Sequence, residues 1–113
     1  MTTSTRWMAR QGDVLLMAVD AIPADALAHP RAAVRGRVVL AYGEVTGHAH
    51  ALDAATVTAW GPSDDAFWLR VEAPGGVVTH EEHAPIVIPS DVQAVRVLRQ
   101  REYSEAGERR VAD

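Results

Sequence analysis

Four of the five histidines in this chain occur in two short clusters, and three glutamates lie beside them. The first cluster contains Glu44, His48 and His50, and the second contains His80, Glu81, Glu82 and His83. Imidazole nitrogens and carboxylate oxygens are the ligands that divalent transition metals take in proteins when thiolates are absent. The two clusters together therefore predict a metal site.

The spacing inside each cluster suits this chemistry. His48 and His50 are two residues apart, so on a strand that begins after Gly47 their side chains project from the same face. His80 or His83 then supplies a third nitrogen, and three ligands leave an open position for water or a substrate. We predict four metal ligands, namely His48, His50, His80 and His83, and three glutamates as further ligands or acid–base groups, namely Glu44, Glu81 and Glu82. The ion would be zinc, nickel, iron or copper.

Two other interpretations of the same residues stay open. Both clusters could be solvated loops, in which the second holds its histidines and glutamates hydrogen-bonded to each other. The clusters could also form an acid–base site that contains no metal. The segment 80–83 is not the metalloprotease motif, because that motif places its histidines four residues apart on a helix and here they are three apart.

Length and composition limit the class of protein. A chain of 113 residues predicts one domain, and the absence of cysteine means that any metal must be held by nitrogen and oxygen ligands. The net charge of −4 argues against a nucleic-acid partner, since such proteins usually have a basic surface. Residues 1–10 lack the apolar run of a signal peptide, and the longest apolar runs fall far short of the roughly 20 residues of a membrane helix. We therefore expect a cytoplasmic protein with no membrane contact.

The elements that must position these residues are mostly strands. Short apolar runs predict strands at 13–19, 37–42, 52–60, 67–72, 77–80, 85–88 and 92–103. The Pro74–Gly76 turn predicts a hairpin between 67–72 and 77–80, whereas 23–35 offers only a helical turn or two. Gln11-Gly12-Asp13 is typical of the entry to an edge strand.

This pattern predicts an all-β fold, a small single-domain antiparallel barrel or sandwich. We expect a flexible lead-in over residues 1–10, the β domain over 11–103 and a polar tail over 104–113.

One resemblance concerns the metal motifs. His48-Ala-His50 followed by Asp53, and Pro74–Gly76 followed by His80, are similar in order to the two motifs of cupins, which are small β-barrels. The resemblance implies a cupin-like barrel with His48, His50 and His80 as ligands and Asp53 as the accompanying carboxylate.

A longer resemblance covers nearly the whole chain. The blocks concerned are RQGDVLL at 10–16, GEVTGHAH at 43–50, HEEHAPI at 80–86 and RQREY at 99–103. They resemble a small bacterial and phage-associated family that is uncharacterised. The resemblance implies a class of protein and no particular activity.

A second class of function is a non-catalytic assembly or adaptor subunit. In this interpretation the two histidine segments are contact loops, and the exposed edges of strands pair with another copy or a protein partner. The predicted final strand, 92–103, is longer than a typical strand, which has about five or six residues. Its outer part could therefore pair with a neighbouring chain.

Overall fold

The computed structural model describes residues 7–43, 47–72, 75–104 and 107–110. Twelve strands occur in these ranges: β1 Met8–Gln11, β2 Val14–Ala18, β3 Pro30–Arg31, β4 Arg37–Tyr42, β5 Ala49–Asp53, β6 Val57–Trp60, β7 Ala66–Val71, β8 Val77–Val78, β9 Ile86–Val87, β10 Ala94–Arg99, β11 Arg101–Ser104 and β12 Gly107–Arg110. The described helical structure is one 3₁₀ turn, Ala26–Ala28, inside the segment predicted to hold it. The prediction of an antiparallel all-β fold is confirmed.

Six strands form an antiparallel sheet in the order β1-β2-β10-β7-β6-β3. Strand β7 lies inside this sheet, and its side chains alternate between the core and solvent as the sequence predicts. Phe67 and Leu69 are fully buried, whereas Arg70 is exposed. One face of the sheet therefore carries most of the apolar core.

Shorter strand pairs cover that core. Strand β4 pairs with β5 and β8 pairs with β9, and an isolated bridge between Ala51 and Thr79 joins the two pairs. Val38, Leu52 and Val78 from these pairs belong to the same buried cluster as Phe67 and Val97 of the large sheet. The described strands form open sheets rather than a closed barrel.

The predicted hairpin across Pro74–Gly76 is wrong. Strand β8 pairs with β9, and β7 pairs instead with β6 on one side and β10 on the other. Because both edges of β7 are occupied, the chain must leave the large sheet after Val71. Strand β8 then joins the layer that contains β5.

Two predicted strands are each divided in the structure. The run 52–60 contains the end of β5, a turn at 54–56 and then β6, and Asp53 accepts a hydrogen bond from the Ala55 N–H in that turn, 2.9 Å from its Oδ1. The run 92–103 contains β10 and β11, which belong to different sheets. Strand β11 pairs with β12, so regular strands occur within both terminal segments, at Met8–Gln11 and Gly107–Arg110.

Among the residues that the structure describes, no helix has the length and apolar character needed to cross a membrane.

Candidate metal centre

Backbone pairing brings the two histidine clusters together. Ala51 donates a hydrogen bond to the carbonyl of Thr79 at 3.1 Å, and Thr79 returns one to the carbonyl of Ala51 at 2.9 Å. His50 precedes Ala51 and His80 follows Thr79, so the bridge places these two histidines side by side. His48 lies just before β5, where its carbonyl accepts a hydrogen bond from the Gly43 N–H at 2.9 Å.

The four imidazole rings form one group with His80 at its centre. The centroid of the His80 ring lies 4.3 Å from that of His50, 4.6 Å from that of His83 and 5.5 Å from that of His48. The rings of His50 and His83 are 5.9 Å apart. The prediction that the two clusters meet in space is therefore confirmed.

The group extends from the core to the surface. His50 is fully buried and His80 is 8% exposed, whereas His48 and His83 are half-buried. Glu81 and Glu82 are exposed at the outer side.

Glu81 is the carboxylate that comes closest to forming a ligand set. One atom each from His48, His80 and Glu81 can be chosen so that all three lie within 4.8 Å of one another. Glu81 Oε1 also accepts a hydrogen bond from the Ala49 N–H at 2.9 Å. This bond, a second from its own backbone N–H and the two nearby imidazoles lower the pKa of Glu81 below its ordinary value of 4.5, although burial opposes the shift.

His80 is held by a hydrogen bond that defines its tautomer. The Glu82 N–H donates to Nδ1 of His80 at 3.0 Å, so this nitrogen is the acceptor and the neutral ring carries its proton on Nε2. Glu82 also places Oε1 3.9 Å from Nδ1 of His48. Glu82 thus contacts both histidine clusters, through its backbone and through its side chain.

His50 is hydrogen-bonded at one ring nitrogen and faces a carboxylate with the other. Its Nδ1 lies 2.8 Å from Oε1 of Gln11, and its Nε2 lies 3.6 Å from Oδ1 of Asp13. The other oxygen of Asp13 accepts two hydrogen bonds from Arg99, at 2.9 Å from Nε and 2.5 Å from a terminal nitrogen. Asp13 is 1% exposed, so this is a charge pair in the interior.

A glycine keeps the outer side of the group open. A methyl group placed on Gly43 would lie 3.1 Å from Cβ of His48 and 3.4 Å from Nε2 of His80. The first distance is shorter than an ordinary van der Waals contact, and the second is at the lower limit of such contacts. A side chain at this position would therefore compete for the space between two of the histidines.

One predicted carboxylate, Glu44, lies outside the described residues. Another, Asp53, lies away from the histidine group. Asp53 is exposed and is used in the turn after β5, and since strand side chains alternate, it projects from the face of β5 opposite to His50. The position of Asp53 therefore does not match the carboxylate that the cupin resemblance implies.

Gln11 and Asp13 contact the group and Arg99 contacts Asp13, and none of the three was predicted to do so. Gln11 and Asp13 were interpreted as part of a strand entry, and Arg99 as part of the predicted final strand. The available signal was the pair of polar residues directly before the apolar run 14–16. Such residues are expected to be exposed, but here they are buried.

The chain belongs to the family described as a domain of unknown function (DUF8820), whose model matches residues 10–97. The matched region includes both histidine clusters together with Gln11 and Asp13. No curated protein and no solved structure matches the chain.

Proposed function

We propose that this protein binds one divalent transition metal ion in the histidine group, with His48, His80 and Glu81 as the outer ligands. The observation that carries the proposal is the mutual approach of these ligand atoms to within 4.8 Å. Zinc bonds of about 2.0–2.1 Å in a tetrahedron separate ligand atoms by about 3.4 Å. A contraction of about 1.4 Å would complete the set, and all three residues lie outside the strands.

Binding through Nε2 of His80 requires a change of partner. A metal needs the lone pair of that nitrogen, so the ring proton must move to Nδ1. The Glu82 N–H can then no longer donate to Nδ1, and the hydrogen bond between them is lost. We therefore expect the backbone amide of Glu82 to report on metal binding.

Three protein ligands leave a fourth position on a tetrahedral ion, which is the arrangement of a catalytic rather than a structural site. The exposed side of the group carries Glu81 and Glu82, and Glu82 is placed next to His48. We propose Glu82 as the acid–base group for a water or substrate bound at that position.

The test is metal content and affinity. Protein purified without a histidine tag is stripped with chelator, and zinc, nickel, cobalt(II) and copper(II) are titrated by calorimetry, with bound metal measured by mass spectrometry. We expect one ion per chain for at least one of these metals. His48→Ala should weaken binding strongly, whereas His29→Ala should not, because His29 lies outside the group. A chain that binds no metal, or an H29A variant that loses it equally, would contradict the proposal.

A second candidate function is protein assembly, which one observation favours. Strands β11 and β12 pair with each other and with no other described strand. A hairpin of this kind can pair with the edge of a neighbouring sheet. Removal of residues 101–113 leaves β10 and Arg99 intact. Light scattering should then show an oligomer for the full chain and a smaller species for the shortened one.

A further inference from the structure

A row of polar side chains continues inward from the histidine group. In order of contact it consists of Arg99, Asp13, His50 and Gln11, and the last three are almost completely buried. Buried polar groups of this kind are expensive unless each is satisfied. Their hydrogen bonds therefore reveal how the inner side of the group is arranged.

The side-chain amide of Gln11 has only one chemically sensible orientation. Its Nε2 donates to the carbonyl of Val78 at 3.1 Å and to the carbonyl of Ala84 at 2.8 Å, and carbonyl oxygens can only accept. The reversed amide would direct Oε1 at two other acceptors. Oε1 must therefore face His50, and because Oε1 accepts, the Nδ1 of His50 must donate.

Gln11 thus defines which nitrogen of His50 is available to a ligand. Whatever the charge of the ring, Nδ1 carries a proton and is bound to Gln11. The nitrogen left for coordination is Nε2, and this atom faces Asp13 Oδ1. Histidines that bind metals commonly donate their other N–H to a carbonyl or carboxylate in this way.

We propose that His50 Nε2 and Asp13 Oδ1 are an inner pair of ligands for the ion, positioned by Gln11 and Arg99. This inference rests on the proposed function and gives the ion an inner set of three protein ligands, which shares His80 with the outer set, keeps a fourth position open and includes a carboxylate that the metal-site prediction does not. The two atoms are 3.6 Å apart, close to the spacing of about 3.4 Å between ligands of a tetrahedral zinc ion. If an ion lay at ordinary bonding distances from both atoms, the angle between its two bonds would be about 120°.

Arg99 directs the carboxylate. Both of its hydrogen bonds go to Oδ2 of Asp13, which leaves Oδ1 on the side of His50. The nearest imidazole to His50 is that of His80, with 4.3 Å between ring centroids. His80 is thus the residue placed to connect the inner pair to the outer ligands.

Gln11 also connects three segments of the chain. It lies at the end of β1, contacts the ring at the second position of β5, and holds the carbonyls on either side of the loop with His80 and His83. Loss of this side chain would release that loop and the ring of His50 together. We therefore expect Gln11 to act on affinity without touching the ion.

The experiment is nitrogen-15 NMR of the histidine rings, with and without one equivalent of zinc. In the metal-free protein the spectrum should show His50 with a proton on Nδ1. Zinc should change the chemical shifts of Nε2 of His50 and of the side-chain carboxyl carbon of Asp13, while Nδ1 of His50 keeps its proton. If zinc binds and neither group responds, the inner pair is wrong and the proposed metal function stands. If no zinc binds at all, both the inner pair of ligands and the proposed metal function are wrong.

A matched pair of variants tests the role of Gln11. Gln11→Met should weaken zinc binding by about 10- to 100-fold, the usual effect of removing a partner of a metal-bound histidine. Gln93→Met makes the same change at an exposed position and should leave affinity unchanged. Thermal unfolding of both variants shows whether the fold is intact, and the wild-type NMR result decides the proposal should Gln11→Met fail to fold. A folded Gln11→Met protein with wild-type affinity would exclude a positioning role.

Discussion

Ala51 and Thr79 exchange two backbone hydrogen bonds of 3.1 and 2.9 Å, and this single bridge places His50 beside His80. The two residues are 28 positions apart in the chain. Neither belongs to the histidine clusters. The candidate site therefore depends on how two short strand pairs meet, as well as on the residues that could bind an ion.

His48 and His50 should differ in their effect on stability. Because His50 is fully buried and hydrogen-bonded, His50→Ala leaves Gln11 with an unsatisfied acceptor and creates a cavity. We expect it to lower the free energy of unfolding by about 2–4 kcal/mol. His48→Ala, at a half-buried position, should lower it by less than about 1 kcal/mol.

Urea unfolding of the two single variants in chelator measures this difference. Equal losses of stability would show that His50 does not belong to the packed interior. The interpretation of the clusters as solvated loops fits the half-buried position of His48 better than the fully buried position of His50.

The buried pair of Asp13 and Arg99 should be important for stability. Asp13→Asn removes the charge that compensates Arg99, whose side chain is 8% exposed, and should destabilise the fold by about 3–5 kcal/mol. The control is Asp64→Asn, which breaks a pair with Arg31 whose acidic partner is 84% exposed. That change should lower stability by less than about 1 kcal/mol. Similar midpoints of chemical unfolding for the two variants would argue against a stabilising interior pair.

Gly43 should be needed for metal binding more than for folding. In Gly43→Ala the new methyl group approaches His48 and His80, so zinc affinity should fall by about tenfold. Gly47→Ala is the control, because its methyl group meets no atom within 4 Å but its backbone has a φ of +89°. It should reduce stability through backbone strain while leaving affinity nearly unchanged.

Calorimetric titration and thermal unfolding of both glycine variants separate the two effects. If Gly47→Ala weakens zinc binding as much as Gly43→Ala, then strain in the loop explains the loss. Unaltered affinity in Gly43→Ala would mean that the ion does not use the space beside His80.

Glu81 should make stability depend on pH. Its pKa is lower in the folded protein than its ordinary value of 4.5, mainly because its carboxylate accepts a hydrogen bond from the Ala49 N–H. The charged form is thus favoured by folding, and its contribution is present above pH 4.5 and is lost as the pH falls through the lower folded value. Wild type should therefore exceed Glu81→Gln in stability near neutral pH, and the difference should shrink in acid.

Urea unfolding of metal-free protein across this pH range is the measurement. Glu72→Gln changes an exposed glutamate outside the histidine group and serves as the control. A difference between wild type and Glu81→Gln that grows as the pH falls has the opposite sign and would contradict the assignment.

Local patterns in the sequence were enough to locate most of the strands. The run 37–42 matches β4, and the alternating run 67–72 matches β7 to within one residue, because each strand exposes one side to the core and its residue types record this. These local patterns did not predict how the strands pair. A Pro-Gly-Gly turn after β7 is a local signal for a hairpin, but the edges of β7 were already occupied by β6 and β10.

The all-β class and the two histidine clusters could be predicted because they depend on residue types and on spacings of a few positions. The polar residues that accompany the histidines could not, because they come from distant parts of the chain. Asp13 and Arg99 are 86 positions apart and meet because β2 and β10 pair with Val14 opposite Arg99. Gln11 reaches His50 because β1, β5 and the loop after β8 converge on one buried position. Such contacts arise from long-range packing and leave no periodic signal in the chain.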